Sequence, residues 1–226
     1  MPNDTFYNLP EEKQNRIIQI AIEEFSEHDY DSASISKIVR KADIAKGSFY
    51  QYFNSKKDCY RYLVEIASEE KLRFFQDLPA PDPSSDLFGY LRWQFLAAAY
   101  FELGRPQFAQ LLYRAFIEDI PFPDMTDELR RRGTTQFFKQ LLSQGILHGK
   151  VAVWVDPDVA AFMTEVIFYQ FGKYLINQLR LKEEEFVDDT IFEQDEAQTL
   201  LNNLMDILEA GMKERPDQRK KYLNQD

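Results

Sequence analysis

Apolar residues recur three and four positions apart through most of this chain, the spacing that keeps one face of an α-helix dry. Ile17, Ile18, Ala21, Ile22 and Phe25 set out the first such face. Pro10 opens it, and Glu11 and Glu12 follow in a first turn whose positive dipole end favours acids. A helix is therefore predicted over residues 10–28, with His28 complementing the dipole at its other end and residues 1–9 forming a mobile arm. Ile35, Ile38 and Val39 give the inner face of a short helix over 34–41, with Ser34 as its cap. The pattern breaks at Ala42-Asp43 for about one turn and resumes over 46–53.

Ser55 caps the next helix, which carries Tyr60, Leu63, Val64, Ala67 and Phe74. Pro79, Pro81 and Pro83, one residue apart, forbid a helix and form the clearest break in the chain. Helices follow over 86–103, stopped by Gly104 and Pro106, over 107–119, ended by Pro121 and Pro123, and over 126–147. The last of these turns Leu129, Phe137, Phe138, Leu141 and Leu142 inward. Residues 149–155 alternate at Val151, Val153 and Val155 but are too short and isolated for a sheet, so they read as a loop. Asp156-Pro157 is a strong helix start, a capping side chain followed by proline at the first position. The helix over 156–181 carries Val159, Phe162, Met163, Val166, Ile167, Phe171, Tyr174 and Leu175, a stripe wider than one buried face needs. Residues 182–195 form an acidic loop without ligand spacing for a metal. A final helix over 196–212 is apolar at Leu200, Leu201, Leu204, Met205 and Leu208, followed by a polar tail. With no strand pattern and no repeat, the fold class is all-α, with about nine helices.

Charge changes this picture. The 226 residues carry a formal net charge of -11, which taken whole argues against a nucleic-acid partner. Its distribution says otherwise: between Lys37 and Lys57 six bases stand against the single acid Asp43. A basic island on an acidic body fits a small DNA-reading head on a larger domain that does not touch DNA. One cysteine, Cys59, excludes an internal disulfide and fits a reducing cytoplasm, where Cys59 serves as packing. Residues 1–9 lack a signal peptide's basic and apolar regions, and no apolar run approaches the ~20 residues that span a bilayer, so a cytoplasmic location without a membrane is expected. The two histidines, His28 and His148, stand beside no plausible nucleophile, and no phosphate loop, nucleophile turn or paired-histidine motif occurs. No enzyme activity, cofactor or metal is expected.

The 46–53 helix, Lys46-Gly47-Ser48-Phe49-Tyr50-Gln51-Tyr52-Phe53, packs donors and acceptors densely on little more than two turns, which suits groove reading. Gly47 lets a neighbour come close, either another helix or a nucleic-acid strand. Together with the first helix, Tyr30, the 34–42 segment and Ser55-Lys56-Lys57-Asp58, these residues resemble the DNA-binding domain of TetR-family repressors over the first quarter of the chain. Two positions depart from the family pattern. Asp43 stands where glycine is usual and can adopt the same left-handed conformation. Ala45 stands where a Ser or Thr caps the second helix, and it cannot cap.

The resemblance implies a three-helix head over residues 1–55, an effector-binding and dimerising body over 56–213, and a tail over 214–226. Candidate DNA contacts are Ser34, Lys37, Lys46, Gly47, Ser48, Tyr50, Gln51, Tyr52 and Lys56. Tyr52 and Lys56 are assigned to phosphates, and Ser48, Tyr50 and Gln51 to base edges. The last two helices exceed one monomer's needs and form the expected homodimer interface through Phe162, Val166, Leu200, Leu204 and Leu208. Aromatics crowd the body, and the resemblance implies an effector pocket among Trp93, Tyr100, Phe101, Phe108, Phe116, Phe137, Phe168 and Phe171. The expected effector is a small apolar or aromatic organic molecule, neutral or cationic. These expectations amount to a ligand-responsive regulator, most simply a repressor released from a palindromic operator. The competing reading is an all-helical adaptor whose basic head docks an acidic protein surface.

Overall fold

The computed structural model of the protein describes residues 1–117, Phe122, 134–179 and 195–213. Among them are ten helices: α1 (Asp4–Tyr7), α2 (Glu11–Glu27), α3 (Ile35–Ala42), α4 (Lys46–Tyr52), α5 (Lys56–Gln76), α6 (Leu87–Gly104), α7 (Pro106–Ile117), α8 (Thr134–Leu147), α9 (Pro157–Gln178) and α10 (Asp195–Met212). The all-α expectation holds. The tenth helix is α1, in the stretch expected to be a mobile arm. Phe6 accounts for the difference: it is fully buried against Tyr52, Phe53 and Tyr62 and docks the segment. Leu129, Pro121, Pro123, the start of the 126–147 helix, the acidic stretch at 182–194 and the tail over 214–226 lie outside the described residues.

Predicted caps form where their chemistry allows. Ser34 Oγ accepts from Lys37 N–H, Ser55 Oγ from Asp58 N–H, and Asp156 from the N–H groups of both Asp158 and Val159. Asp43 adopts the left-handed conformation, φ 56° and ψ 51°, that turns the chain between α3 and α4. Pro106 does not merely stop α6; it is the first residue of α7, where its missing N–H costs nothing.

The chain divides into two compact units that do not follow sequence order. One comprises Met1–Asp77 with Arg105–Asp127, the other Leu78–Gly104 with Glu128–Asp226. The head expected over residues 1–55 lies within the first unit. α5 packs on α2 and α7 within the first unit, because its inward Cys59, Tyr60, Leu63 and Val64 complete the core begun by Ile17, Ile22 and Phe25. Arg114 of α7 donates to the carbonyls of Ser26 and Glu27, satisfying the open C-terminus of α2.

In the second unit α9 packs on α8 and α6, and α10 on α6. The 149–155 segment is a loop, as expected. Val151 bridges Lys213, and Ala152 N–H donates to Met212 O at 2.8 Å. Gly145 is needed for this packing, since a Cβ there would stand 2.6 Å from Leu87 and 2.7 Å from Val151. Phe168 sits at the centre, with ring centroids 5.6 Å from Phe95 and 5.4 Å from Phe138, both edge-on. Phe168→Ala is therefore expected to lower the unfolding free energy by about 3–5 kcal/mol, measurable by urea denaturation.

Candidate DNA interface

Two helices joined by a tight turn make the candidate site. α3 buries Ile35, Ile38, Val39 and Ala42 against α2, and α4 buries Phe49 and Tyr52. The turn holds because Asp43 N–H and Ile44 N–H donate back to Arg40 O and Val39 O. With Phe49 and Phe53 pinned inward, helical geometry leaves Lys46, Gly47, Tyr50 and Gln51 on the outside. Tyr50 is 48% exposed, and Ser48 is half-buried.

Gly47 lies in open space on this outer face. A Cβ built there would meet nothing within 4 Å, and its φ is not left-handed. Among the described residues no neighbour occupies the space a Cβ would take there, and a glycine lets a partner's backbone come close. A glycine inside a seven-residue helix costs about 0.5–1 kcal/mol relative to alanine.

The basic island is partly neutralised by the head's own acids. Glu24 is only 1% exposed. Its carboxylate accepts from Ser34 N–H at 2.9 Å, with Lys37 Nζ 3.7 Å and His28 Nδ1 3.8 Å away. This ties the last turn of α2 to the first of α3. Sequence reasoning missed Glu24, although a signal was present: position 24 continues the inward row of Ile17 and Ala21. Lys41 pairs with Glu23 at 3.0 Å, and that hydrogen bond raises its pKa. Arg40 and Lys46 are exposed and form no ion pair with the described residues.

Two of the assigned phosphate contacts have partners within the head itself. Tyr52 was expected to hold a phosphate, but it is 7% exposed, with its ring edge-on to Phe6. It lies on the same helical face as Phe49, so it anchors α4. Lys56 was assigned a phosphate too. Its Nζ donates to Asp31 O at 3.1 Å and sits 4.7 Å from the Tyr30 ring centroid, and partial burial lowers its pKa. It ties the start of α5 to the loop before α3.

The other expected sites fare unevenly. Of the eight aromatics, Phe108 and Phe116 lie on α7 in the first unit and the other six lie in the second. Phe101, Phe168 and Phe171 are core, Trp93 and Tyr100 are half-buried, and Phe137 is exposed. A cleft of about 700 Å³ in the second unit is lined by none of the eight; Asp86, Arg92, Lys150, Asp206, Glu209 and Lys213 give it its charged rim. On α9, Phe162 is 61% exposed, and Val159, Met163 and Val166 join it on one open apolar face. On α10, Leu200 and Leu204 are half-buried, whereas Leu208 is only 6% exposed. Leu208 shares the inward row of Leu201, Met205 and Met212, so its place is the unit's own core. Ile207, one residue earlier, is 70% exposed and was missed.

A short exposed helix, braced by aromatics behind and presenting polar groups beside an unobstructed glycine, defines a helix-turn-helix DNA-binding protein. Residues 17–63 match the family described as bacterial regulatory proteins, tetR family, and residues 85–213 match the tetracyclin repressor-like C-terminal domain. The chain is 41% identical to a TetR family transcriptional regulator from Chloroflexus aurantiacus J-10-FL, over 95% of this chain and 100% of that one, with a TM-score of 0.83. It belongs to the TetR family of transcriptional regulators. A stretch of 44 residues is 57% identical to the uncharacterized HTH-type transcriptional regulator YvdT of Bacillus subtilis (strain 168); that match spans 20% of this chain and 23% of the relative's length. The regulator FadR from Bacillus subtilis, crystallised with stearoyl-CoA, shares the fold at 18% identity, over 87% of this chain and 98% of that one, with a TM-score of 0.62. No described helix is long and apolar enough to cross a membrane.

Ala45, extended at φ -68° and ψ 144°, makes no side-chain cap to α4. Ala45→Ser is expected to supply one and to stabilise the head by about 1 kcal/mol, read as a higher midpoint in thermal unfolding.

Proposed function

We propose that a homodimer of this chain binds a palindromic operator as a repressor and is released by a small organic effector. The observation that carries the DNA reading is Gly47, a helix-weakening residue with open space around it on the exposed face of α4. Lys46 and Arg40 supply phosphate contacts on either side of the turn, the role first given to Lys56 and Tyr52. Ser48, Tyr50 and Gln51 face base edges, where a glutamine amide pairs bidentately with adenine.

A palindrome needs two heads about 34–36 Å apart, and hence a two-fold partner. The open stripe of Val159, Phe162, Met163 and Val166 on α9, with Ile207 on α10, is the surface we assign to it. Leaving five large apolar side chains in water is unfavourable, and pairing with the same stripe of a second copy removes that cost.

For the effector, an aromatic shelf on the second unit supports an apolar or aromatic molecule. Tyr90 and Trp93 stack at 5.4 Å, and the exposed Phe137 lies 6.4 Å from Tyr90. Gln94 Nε2 donates to Tyr90 Oη at 2.9 Å, a polar point beside the rings. The chain's acidic balance admits a neutral or a cationic compound. Such an effector must bind the operator-free form more tightly, and operator must weaken effector by the same factor.

Gly47→Ala is expected to raise thermal stability, since its Cβ meets nothing, while operator affinity in a gel shift falls roughly tenfold or more because a methyl group obstructs the strand. Stability and affinity rising together would remove the reason for placing DNA at this face. Phe162→Glu is expected to convert a species of twice the chain mass into one of single chain mass in light scattering after size exclusion. A wild-type protein already monomeric at micromolar concentration would refute the dimer.

A further inference from the structure

The far end of α4 is closed by residues almost fifty positions earlier in the chain. Phe53, which follows α4, is extended at φ -132° and ψ 129°, so no left-handed residue folds the chain back over the last carbonyls. Asn3 N–H donates to Tyr52 O at 2.8 Å. Asn3 Nδ2 donates to Gln51 O and to Asn54 Oδ1, both at 3.2 Å. Thr5 Oγ1 donates to Gln51 O as well. Phe6 holds this segment in place, fully buried with ring centroids 5.2 Å from Phe53 and 6.1 Å from Tyr62. Partial burial, with Tyr7 beside it, pushes the Tyr62 hydroxyl up to about 12.

The two side chains converge on one atom. Gln51 O receives both Asn3 and Thr5, while the Gln51 side chain stays exposed beside the groove formed with Pro2, Asn3, Asp4 and Thr5. A bidentate amide–base contact tolerates little error in position, and a seven-residue helix in water frays at its ends. We infer that Asn3 and Thr5 are positioning residues for operator recognition: by fixing the backbone of Gln51 they set which base its carboxamide reaches. They touch no base themselves. This inference rests on the proposed reading of DNA by α4.

The test uses the full chain and the duplex it selects from random DNA, followed by a set of single-base variants of that duplex. Thr5→Val keeps the shape and removes the donor, Thr5→Ser restores the donor, and Asn3→Ala removes the second side-chain tie. Discrimination at the positions that Gln51→Ala affects is expected to fall roughly fivefold or more in Thr5→Val and in Asn3→Ala, within the worth of one amide–adenine pair. Thr5→Ser is expected to keep the wild-type profile. Affinity for unrelated duplex and its salt dependence are expected to stay unchanged in all three, because phosphate contacts are untouched. An unchanged base profile in both Thr5→Val and Asn3→Ala would overturn the inference while leaving α4 as the reading element. A uniform loss over every sequence, accompanied by a lower melting temperature, would also overturn it by showing a purely structural tie. Wild-type protein that selects no sequence would defeat the α4 reading itself, and the inference with it.

Discussion

A helix of seven residues cannot hold its own shape in water, and α4 is such a helix. It lacks a side-chain cap in front, carries a glycine at its second position, and is followed by an extended residue behind. Everything near it compensates. Phe49, Tyr52 and Phe53 fasten it to the core, Asp43 turns the chain into it, and Asn3 and Thr5 hold its last carbonyls. Weak intrinsic helicity leaves the geometry of the reading surface to be set by tertiary contacts, which are the contacts that can fix it to within a fraction of an ångström.

The same economy governs charge. A head that binds DNA needs positive potential, yet clustered like charges repel one another within the folded head. Glu23 and Glu24 relieve that repulsion at Lys41 and Lys37 on the side next to α2, leaving Arg40 and Lys46 exposed around the turn. Glu24 does more than balance charge. As a buried carboxylate accepting Ser34 N–H, it satisfies one of the donors at the start of α3 and fixes the angle at which α3 leaves α2. Removing it would leave the part-buried Ser34 N–H without that acceptor, at greater cost than the bond itself is worth.

In the second unit the two faces of α9 divide the work. Phe168, Phe171 and Leu175 complete an aromatic core with Phe95 and Phe138, while Val159, Phe162, Met163 and Val166 stay open. α10 shows the same division at one-residue resolution, with Leu208 inside and Ile207 outside. One residue is a rotation of about 100°, enough to carry a side chain from a monomer's core to its surface.

By itself the sequence determined nine of the ten described helices, the left-handed turn at Asp43, the capping by Ser34, Ser55 and Asp156, and the place of the helix-turn-helix. Each of these depends on residues within a few positions of one another, where periodicity and turn chemistry act directly. It also named the excess apolar stripe on α9, because a stripe wider than one face shows in spacing alone. Tertiary structure decided the rest. The docking of Asn3, Thr5 and Phe6, the burial of Tyr52 and Glu24, the diversion of Lys56 to Asp31, and the return of α7 to the first unit all join residues far apart in the chain. Helical spacing shows that a position faces inward, but which distant partner waits there depends on how separate helices pack, and no local pattern encodes that.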